Sequence, residues 1–144
     1  MVDPLTRLAI LHGTDKVGPH DYTPVYHKLF AALRDRPIRL LEIGVGGYRD
    51  PDRGGQSLAM WAAYFPNGQI TGIDLAEKRL DLGPRIRILQ GSQTDGAFLD
   101  RHVEPGQALH LPRVEFDRFG GRRLFACDHD MRGFAAAEIE DHPR

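Results

Sequence analysis

The sequence has few of the residues that cross-link a fold or place it in a membrane. Its 144 residues include one cysteine, Cys127, which excludes an intramolecular disulfide and a zinc site built from several cysteines. No apolar run is long enough to span a bilayer, and the start, MVDPLTRLAILHG, lacks the basic and apolar regions of a signal peptide. We therefore expect a cytoplasmic protein without membrane association, stabilised by packing and by what it binds.

The chain also lacks an excess of either charge. Lysine and arginine number 19 and aspartate and glutamate 20, so the formal net charge is −1. Without a basic excess, the surface has no general attraction for a phosphate backbone, and we expect no nucleic-acid partner. With 41% hydrophobic residues, a chain of this length can bury one modest core.

Two helices are predicted before the first strand. Asp3 is typical of a helix start and Gly13 of its end, and Thr23 begins a second helical pattern that continues towards Asp35. The loop between the helices has polar side chains, and a simple polar linker is one interpretation of it. The side chains of interest in and beside this loop are Lys16, His20, Tyr22 and Tyr26.

The middle of the chain alternates between strands and helices. Apolar runs predict strands near residues 38–44, 69–74 and 85–90, and Ser57 can cap the helix between the first two. Because a strand–helix–strand crossover is right-handed, its two strands become parallel neighbours in one sheet. The fold class is therefore α/β, with a Rossmann-like parallel sheet after two N-terminal helices.

A glycine-rich turn follows the first of these strands. Gly44, Gly46 and Gly47 lie beyond the carboxyl end of a strand, where open α/β sheets bind ligands. The dinucleotide pattern G-x-G-x-x-G is incomplete because Arg49 occupies its last position. Asp74, at the end of the second strand, is suited to accept hydrogen bonds from a ribose diol. These residues predict a nucleoside site, and a purely structural turn is the alternative.

Glu42 distinguishes between nucleoside ligands. It lies inside an apolar strand, where an ionised carboxylate is costly unless it meets a cation or hydrogen-bond donors. S-adenosylmethionine has an ammonium group that could lie near this point. The pattern E-x-G-x-G therefore favours S-adenosylmethionine over a nicotinamide dinucleotide.

The same pattern resembles the first motif of class I S-adenosylmethionine-dependent methyltransferases. The segments GTDKVGPHDYTPVYHKLF, RLLEIGVGGYRDPDRGGQSLAMWAAYFPNGQITGIDL and RIRILQGSQTDGAFLD are similar to the macrolide-sugar O-methyltransferases of the demethylmacrocin and mycinamicin type. The resemblance covers about residues 8–101. It implies methyl transfer from S-adenosylmethionine to a hydroxyl of a glycosylated natural product, with a small-molecule acceptor.

The resemblance also implies which residues contact the cofactor. In this family the glycine turn lies under S-adenosylmethionine, the acid after the second strand binds the ribose, and residues after the third strand border the adenine. The cofactor contacts implied here are Glu42, Gly44, Gly46, Gly47, Ser57, Asp74, Gln90, Gly91, Ser92, Gln93, Tyr22 and Tyr26.

The last third departs from the family. The family carries a D-D-G-S-H segment whose carboxylates bind magnesium and whose histidine takes the hydroxyl proton, and this sequence has no such segment. The nearest match is RLFACDHD, in which Asp128 and Asp130 suit magnesium and His129 suits a general base. A solvated loop is the alternative interpretation of these three residues.

Residues 105–144 are too few to complete the sheet of a class I methyltransferase. We expect residues 1–104 to form two helices and a partial cofactor domain, and residues 105–144 a divergent, irregular, truncated or frame-shifted end. Within that end, FAAAEIE contains helix-forming residues. An incomplete sheet leaves an unpaired edge, so assembly with a second copy is expected. Two functions remain open: a methyltransferase, or a non-catalytic fragment that keeps part of the cofactor pocket.

Overall fold

Six strands form one mixed sheet in the part of the chain that the structure describes. This computed structural model describes residues 1–18 and 21–102, together with the backbone of three later strands. The strands are β1 (Ile38–Ile43), β2 (Gln69–Asp74), β3 (Ile86–Gln90), β4 (Glu115–Phe119), β5 (Arg122–Asp128) and β6 (Phe134–Ile139). The helices are α1 (Pro4–His12), α2 (Thr23–Phe30), α3 (Gln56–Tyr64) and α4 (Gly96–His102), with a 3₁₀ turn at Ala31–Leu33.

The parallel half of the sheet is the one that the sequence predicts. β1 pairs with β2 in parallel, with Arg39 opposite Gln69, and β2 pairs with β3 in parallel, with Asp74 opposite Gln90. The prediction that the first two strands are parallel neighbours is confirmed. Their carboxyl ends, and that of β3, therefore lie at one edge of the sheet.

The other edge of β1 is occupied by an antiparallel strand. β6 pairs with β1, and the full strand order is β3-β2-β1-β6-β5-β4. The helix-forming character of FAAAEIE is misleading, because its first six residues, Phe134–Ile139, form the strand β6. Backbone groups of a buried central strand must be paired, and such pairing overrides a weak local preference for helix. The division of the chain at residue 104 stays a prediction.

β1 is covered on both faces, as its nearly continuous apolar sequence indicates. Side chains alternate along a strand, so Leu40 packs with the core of α1, α2 and α3, whereas Leu41 packs with Phe98 and Leu99 of α4. Glu42 lies on the same face as Leu40. The core on that face contains a group of five aromatic rings, which are Tyr26, Phe30, Trp61, Tyr64 and Phe65.

The N-terminal helices agree with the sequence in their starts more than in their ends. Asp3 caps α1 by accepting a hydrogen bond from the backbone N–H of Thr6 at 2.9 Å, and Gly13 ends this helix with φ of 66°. α2 is shorter than predicted, because it ends at Phe30 and not near Asp35. No helix among the described residues is long and apolar enough to cross a membrane.

Arg85, just before β3, provides a testable link between the sheet and α3. Its guanidinium donates to the carbonyl oxygens of Ala62 at 2.7 Å, Phe65 at 2.8 Å and Gly68 at 3.0 Å, at the carboxyl end of α3. Because hydrogen bonds to charged groups each contribute about 1.5–3 kcal/mol, we expect Arg85→Met to lower the free energy of unfolding by at least that amount.

The matched control is Arg79→Met. The guanidinium of Arg79 forms an exposed ion pair with Asp52 at 2.8 Å, which typically contributes about 0–1 kcal/mol. Urea denaturation of both variants measures the difference. Equal losses in the two variants would contradict a stabilising role of Arg85 at the carboxyl end of α3.

Candidate functional site

The residues predicted to bind a nucleoside come together at the carboxyl edge of the parallel strands. Gly44 follows β1, Asp74 ends β2 and Gln90 ends β3. Two backbone hydrogen bonds of 2.8 Å extend the pairing beyond the strands, from Gly44 N–H to the carbonyl of Ile73 and from Gly91 N–H to the carbonyl of Asp74. The three strand ends therefore form one continuous rim.

Asp74 is fixed directly to the glycine turn. One carboxylate oxygen, Oδ2, accepts a hydrogen bond from the backbone N–H of Val45 at 2.8 Å, and Oδ1 accepts one from Ala76 N–H at 2.9 Å. A carboxylate has about four lone-pair sites, so these two bonds leave acceptor capacity for a ligand's hydroxyl groups. The side chain is partly buried, which holds it at the rim without removing it from solvent.

The glycine turn is crossed by the chain that leads into α3. Gly46 and Gly47 have φ of 80° and 74°, a region that favours glycine. A Cβ on Gly47 would overlap the carbonyl group of Arg53, and a Cβ on Gly54 would overlap the carbonyl of Gly46. Gly47, from the first glycine pair of GGYRDPDRGG, and Gly54, from the second, therefore permit the two backbones to touch.

Lys78 holds the loop between these glycines, and sequence reasoning missed it. Its ammonium group donates to the carbonyl oxygens of Tyr48 at 2.7 Å, Asp50 at 3.0 Å and Arg53 at 3.2 Å. A lysine so far along the chain from the loop has no local sequence signal. Tyr48, with φ of 50° and a side chain that is 94% exposed, lies at the start of the loop that Lys78 fixes.

Glu42 is buried under the turn and meets the donors and the cation that the sequence argument requires. Its side chain is 1% exposed, the hydroxyl of Ser57 donates to Oε1, and the indole N–H of Trp61 donates to Oε2 at 2.6 Å. The ammonium of Lys16 lies 3.9 Å from Oε1. The partners of this carboxylate are thus residues of the chain itself, and its contact with a cofactor stays a prediction.

Ser57 has a different role from the helix cap predicted for it. The residue that caps α3 is Gly55, with φ of 80°, and α3 has no side-chain hydrogen bond at its cap. Ser57 lies inside the first turn, so its hydroxyl points to β1 and binds Glu42. Sequence reasoning placed Trp61 only in the apolar stripe of α3 and missed its hydrogen bond to the same carboxylate.

The two tyrosines predicted near the cofactor lie on the side of α2. The Tyr26 ring is buried in the aromatic core, with its centroid 5.5 Å from that of Trp61. Tyr22 is partly buried, and its ring centroid lies 6.1 Å from that of Tyr26. Cofactor contacts of both tyrosines stay predictions.

The residues after β3 are the most open part of the rim. Gln90 is exposed and its amide donates to the carbonyl of Leu75 at 3.2 Å. Ser92 Oγ accepts a hydrogen bond from Thr94 N–H at 3.1 Å, in a turn that leads towards α4, and Gln93 is exposed. An adenine contact by this segment stays a prediction.

The proposed metal and catalytic residues fall mostly outside the described part of the chain. Asp128 is the last residue of β5, described by its backbone alone, and His129, Asp130 and His20 lie outside the described residues. Among the side chains that are described, no group of three or more His, Cys, Asp or Glu residues is arranged to hold a metal ion.

The backbone contact between Gly47 and Arg53 can be tested with a pair of substitutions. Gly47 and Gly13 have similar φ angles, 74° and 66°, but a Cβ on Gly13 would meet nothing within 4 Å. Gly13→Ala therefore incurs only the backbone cost of about 1–2 kcal/mol, whereas Gly47→Ala adds an overlap with backbone of roughly 1–3 kcal/mol. Thermal and urea unfolding measure both losses. Equal destabilisation by the two substitutions would show that the backbone of Arg53 does not contact Gly47.

Comparisons with known proteins show which proteins this chain is similar to. No family model matches the chain. It is 52% identical over 101 residues to the 8-demethyl-8-(2-methoxy-alpha-L-rhamnosyl)-tetracenomycin-C 3'-O-methyltransferase of Streptomyces olivaceus, covering 69% of this chain and 26% of that protein. It is 47% identical over 98 residues to the mycinamicin VI 2''-O-methyltransferase of Micromonospora griseorubida, covering 67% of this chain and 25% of that protein.

A solved structure gives the same result for the fold. The structure of the MycE methyltransferase from the mycinamycin biosynthetic pathway, in complex with Mg, SAH and mycinamycin VI, matches with a TM-score of 0.63 and 46% identity. The match covers 69% of this chain and 27% of that one. The resemblance inferred from the sequence motifs is thereby confirmed. The chain is similar in sequence and fold to sugar O-methyltransferases of natural-product biosynthesis, and it spans about a quarter of the length of the relatives it matches.

Proposed function

We propose that this chain supplies the S-adenosylmethionine-binding part of an O-methyltransferase that acts on a sugar hydroxyl of a glycosylated natural product. The observation that carries the proposal is Asp74, a carboxylate at the end of β2 that is tied to the glycine turn through Val45 N–H at 2.8 Å. The relatives support the same chemistry, since their names describe O-methyl transfer to rhamnosyl and mycinamicin acceptors.

The described residues fit the nucleoside of S-adenosylmethionine. Asp74 has acceptor capacity for the two ribose hydroxyls, and the segment that begins at Gln90 lies beside it for the adenine. The backbone of Gly46 is open, because a Cβ there would meet only the Cα of Gly54, at 3.9 Å. The turn therefore has room for the cofactor to approach the main chain.

Methyl transfer is an in-line displacement in which the acceptor oxygen bonds to the methyl carbon and the sulfonium leaves as a thioether. S-adenosylmethionine supplies the electrophile when it is bound, and a protein accelerates the step by aligning the oxygen and accepting its proton. In this proposal Asp74 and the glycine turn orient the cofactor. His129 is a candidate base and Asp128 and Asp130 are candidate magnesium ligands, with a solvated loop as the alternative.

A non-catalytic role is the second candidate. It is supported by the share of the relatives that the chain spans, about a quarter, and by the absence of a D-D-G-S-H segment from the sequence. Such a chain would keep part of the cofactor pocket and need a partner, for which a second copy is one proposal. A cytoplasmic location and the absence of nucleic-acid partners belong to both candidates.

Binding of the cofactor product tests the first part of the proposal. We expect isothermal titration calorimetry to detect S-adenosylhomocysteine binding and no NAD binding. Because Asp74 would accept ribose hydroxyls as a charged group, Asp74→Ala weakens binding by about 1.5–3 kcal/mol, roughly 10- to 150-fold. Glu77→Ala, at an exposed position nearby, is the control and leaves binding unchanged. Binding of NAD alone would refute the nucleoside assignment.

An activity assay separates the two candidates. We expect this chain alone to transfer little or no methyl group, since a positioned general base contributes about 10²–10⁴ in rate and the family's base segment is missing. The measurement is radiolabelled methyl transfer to a glycosylated macrolide with magnesium present, on protein shown to be folded by circular dichroism. Robust turnover that is lost in His129→Ala would overturn this expectation and assign the base.

A further inference from the structure

We propose that Lys16 is a positioning residue of the cofactor site, acting through Glu42 on the glycine turn and on Asp74. The inference rests on the proposed function, because it concerns the same site. It gives a role to the buried lysine of residues 13–16, here called the G-T-D-K loop. This loop follows α1, precedes α2 and lies outside the rim of the sheet.

Lys16 is held in place by hydrogen bonds of its own backbone groups. The residue is only 7% exposed, although it is a lysine in a loop. Its backbone N–H donates to the hydroxyl of Thr14 at 3.2 Å, and its carbonyl accepts from Tyr22 N–H at 3.1 Å. A buried ammonium needs a counter-charge, and Glu42 Oε1, at 3.9 Å, provides it.

Glu42 connects Lys16 to the start of α3 through two hydrogen bonds. The carboxylate oxygen that faces Lys16 is the one that accepts the hydroxyl of Ser57, in the first turn of the helix. The other oxygen accepts the indole N–H of Trp61, one turn further along. The position of the carboxylate therefore sets the position of the amino-terminal half of α3 over β1.

Two backbone contacts connect α3 to the nucleoside rim. The N–H of Gly55, which caps α3, donates to the carbonyl of Val45 at 2.8 Å. The N–H of the same Val45 donates to Asp74 Oδ2 at 2.8 Å. A continuous series of contacts thus leads from Lys16, through Glu42 and α3, to the carboxylate proposed to bind ribose.

Removing the lysine charge alone should disturb this series most. A buried carboxylate without its counter-charge is strongly unfavourable, so Glu42 would move towards solvent and displace its partners on α3. Removing both charges leaves no uncompensated ion, and a glutamine at position 42 can still accept a hydrogen bond from Trp61. The double variant should therefore be less disturbed than Lys16→Met.

The test measures the affinity of two ligands by calorimetry. S-adenosylhomocysteine carries the amino-acid ammonium and carboxylate, whereas 5′-methylthioadenosine has the same ribose and adenine without them. We expect Lys16→Met to lower the affinity for both ligands by the same factor, roughly 2- to 30-fold. The double variant Lys16→Met/Glu42→Gln should restore most of the affinity. Lys28→Met, at an exposed position on α2, is the control and leaves both affinities unchanged.

Three results would overturn the inference. Weakening of S-adenosylhomocysteine alone would mean that Lys16 or Glu42 touches the amino-acid part of the cofactor directly. Unchanged affinities in folded Lys16→Met would mean that the contacts do not transmit the constraint. If the unmodified chain binds neither ligand, the proposed function fails and this inference fails with it.

Fluorescence of Trp61, the single tryptophan of the chain, tests the network without any ligand. Because its indole N–H is bound to Glu42, we expect Lys16→Met to shift its emission and the double variant to return it towards the original spectrum. An unshifted spectrum would contradict the link between Lys16 and Glu42, whatever the ligands do. If Lys16→Met does not fold, Glu42→Gln replaces it, and the double variant should then bind both ligands more tightly than Glu42→Gln.

Discussion

The constraint on which the rest of this structure depends is the burial of a carboxylate in β1, the strand that joins the parallel and antiparallel halves of the sheet. Glu42 is 1% exposed among apolar neighbours, so it is tolerated only where its oxygens are hydrogen-bonded and its charge is balanced. The groups that do so come from two separate segments, the G-T-D-K loop and the first two turns of α3. Meeting this one requirement brings the N-terminal helices, the sheet and the glycine turn into a single arrangement.

Much of the parallel half could be predicted from the sequence because its signals are local. Strands buried on both faces appear as continuous apolar runs, and the glycine turn and Asp74 follow them directly in the chain. The same residues are the ones that the structure brings to one edge. The contacts of Lys16, Lys78 and Trp61 could not be predicted in this way, because each binds a group far along the chain and a side-chain type alone does not name its partner.

The strand β6 shows where prediction from local sequence patterns fails. Phe134–Ile139 is rich in alanine and reads locally as a helix, but its backbone pairs with β1 along the whole strand. Whether such a segment forms a strand depends on an unpaired neighbour elsewhere in the fold, which no local pattern records. The sequence therefore predicts the parallel half of the sheet better than the antiparallel half.

The contact between Gly47 and Gly54 has a consequence for the changes that the loop between them can accept. Because the two backbones meet at the base of the loop, residues 48–53 form an excursion that leaves the turn and returns to it at almost the same point. The contacts that position α3 against the end of β1 are formed by residues outside this excursion, such as the hydrogen bond from Gly55 N–H to the carbonyl of Val45. The excursion can therefore differ in length and composition without moving β1 or α3, provided that it keeps this closure and the carbonyl groups that bind Lys78.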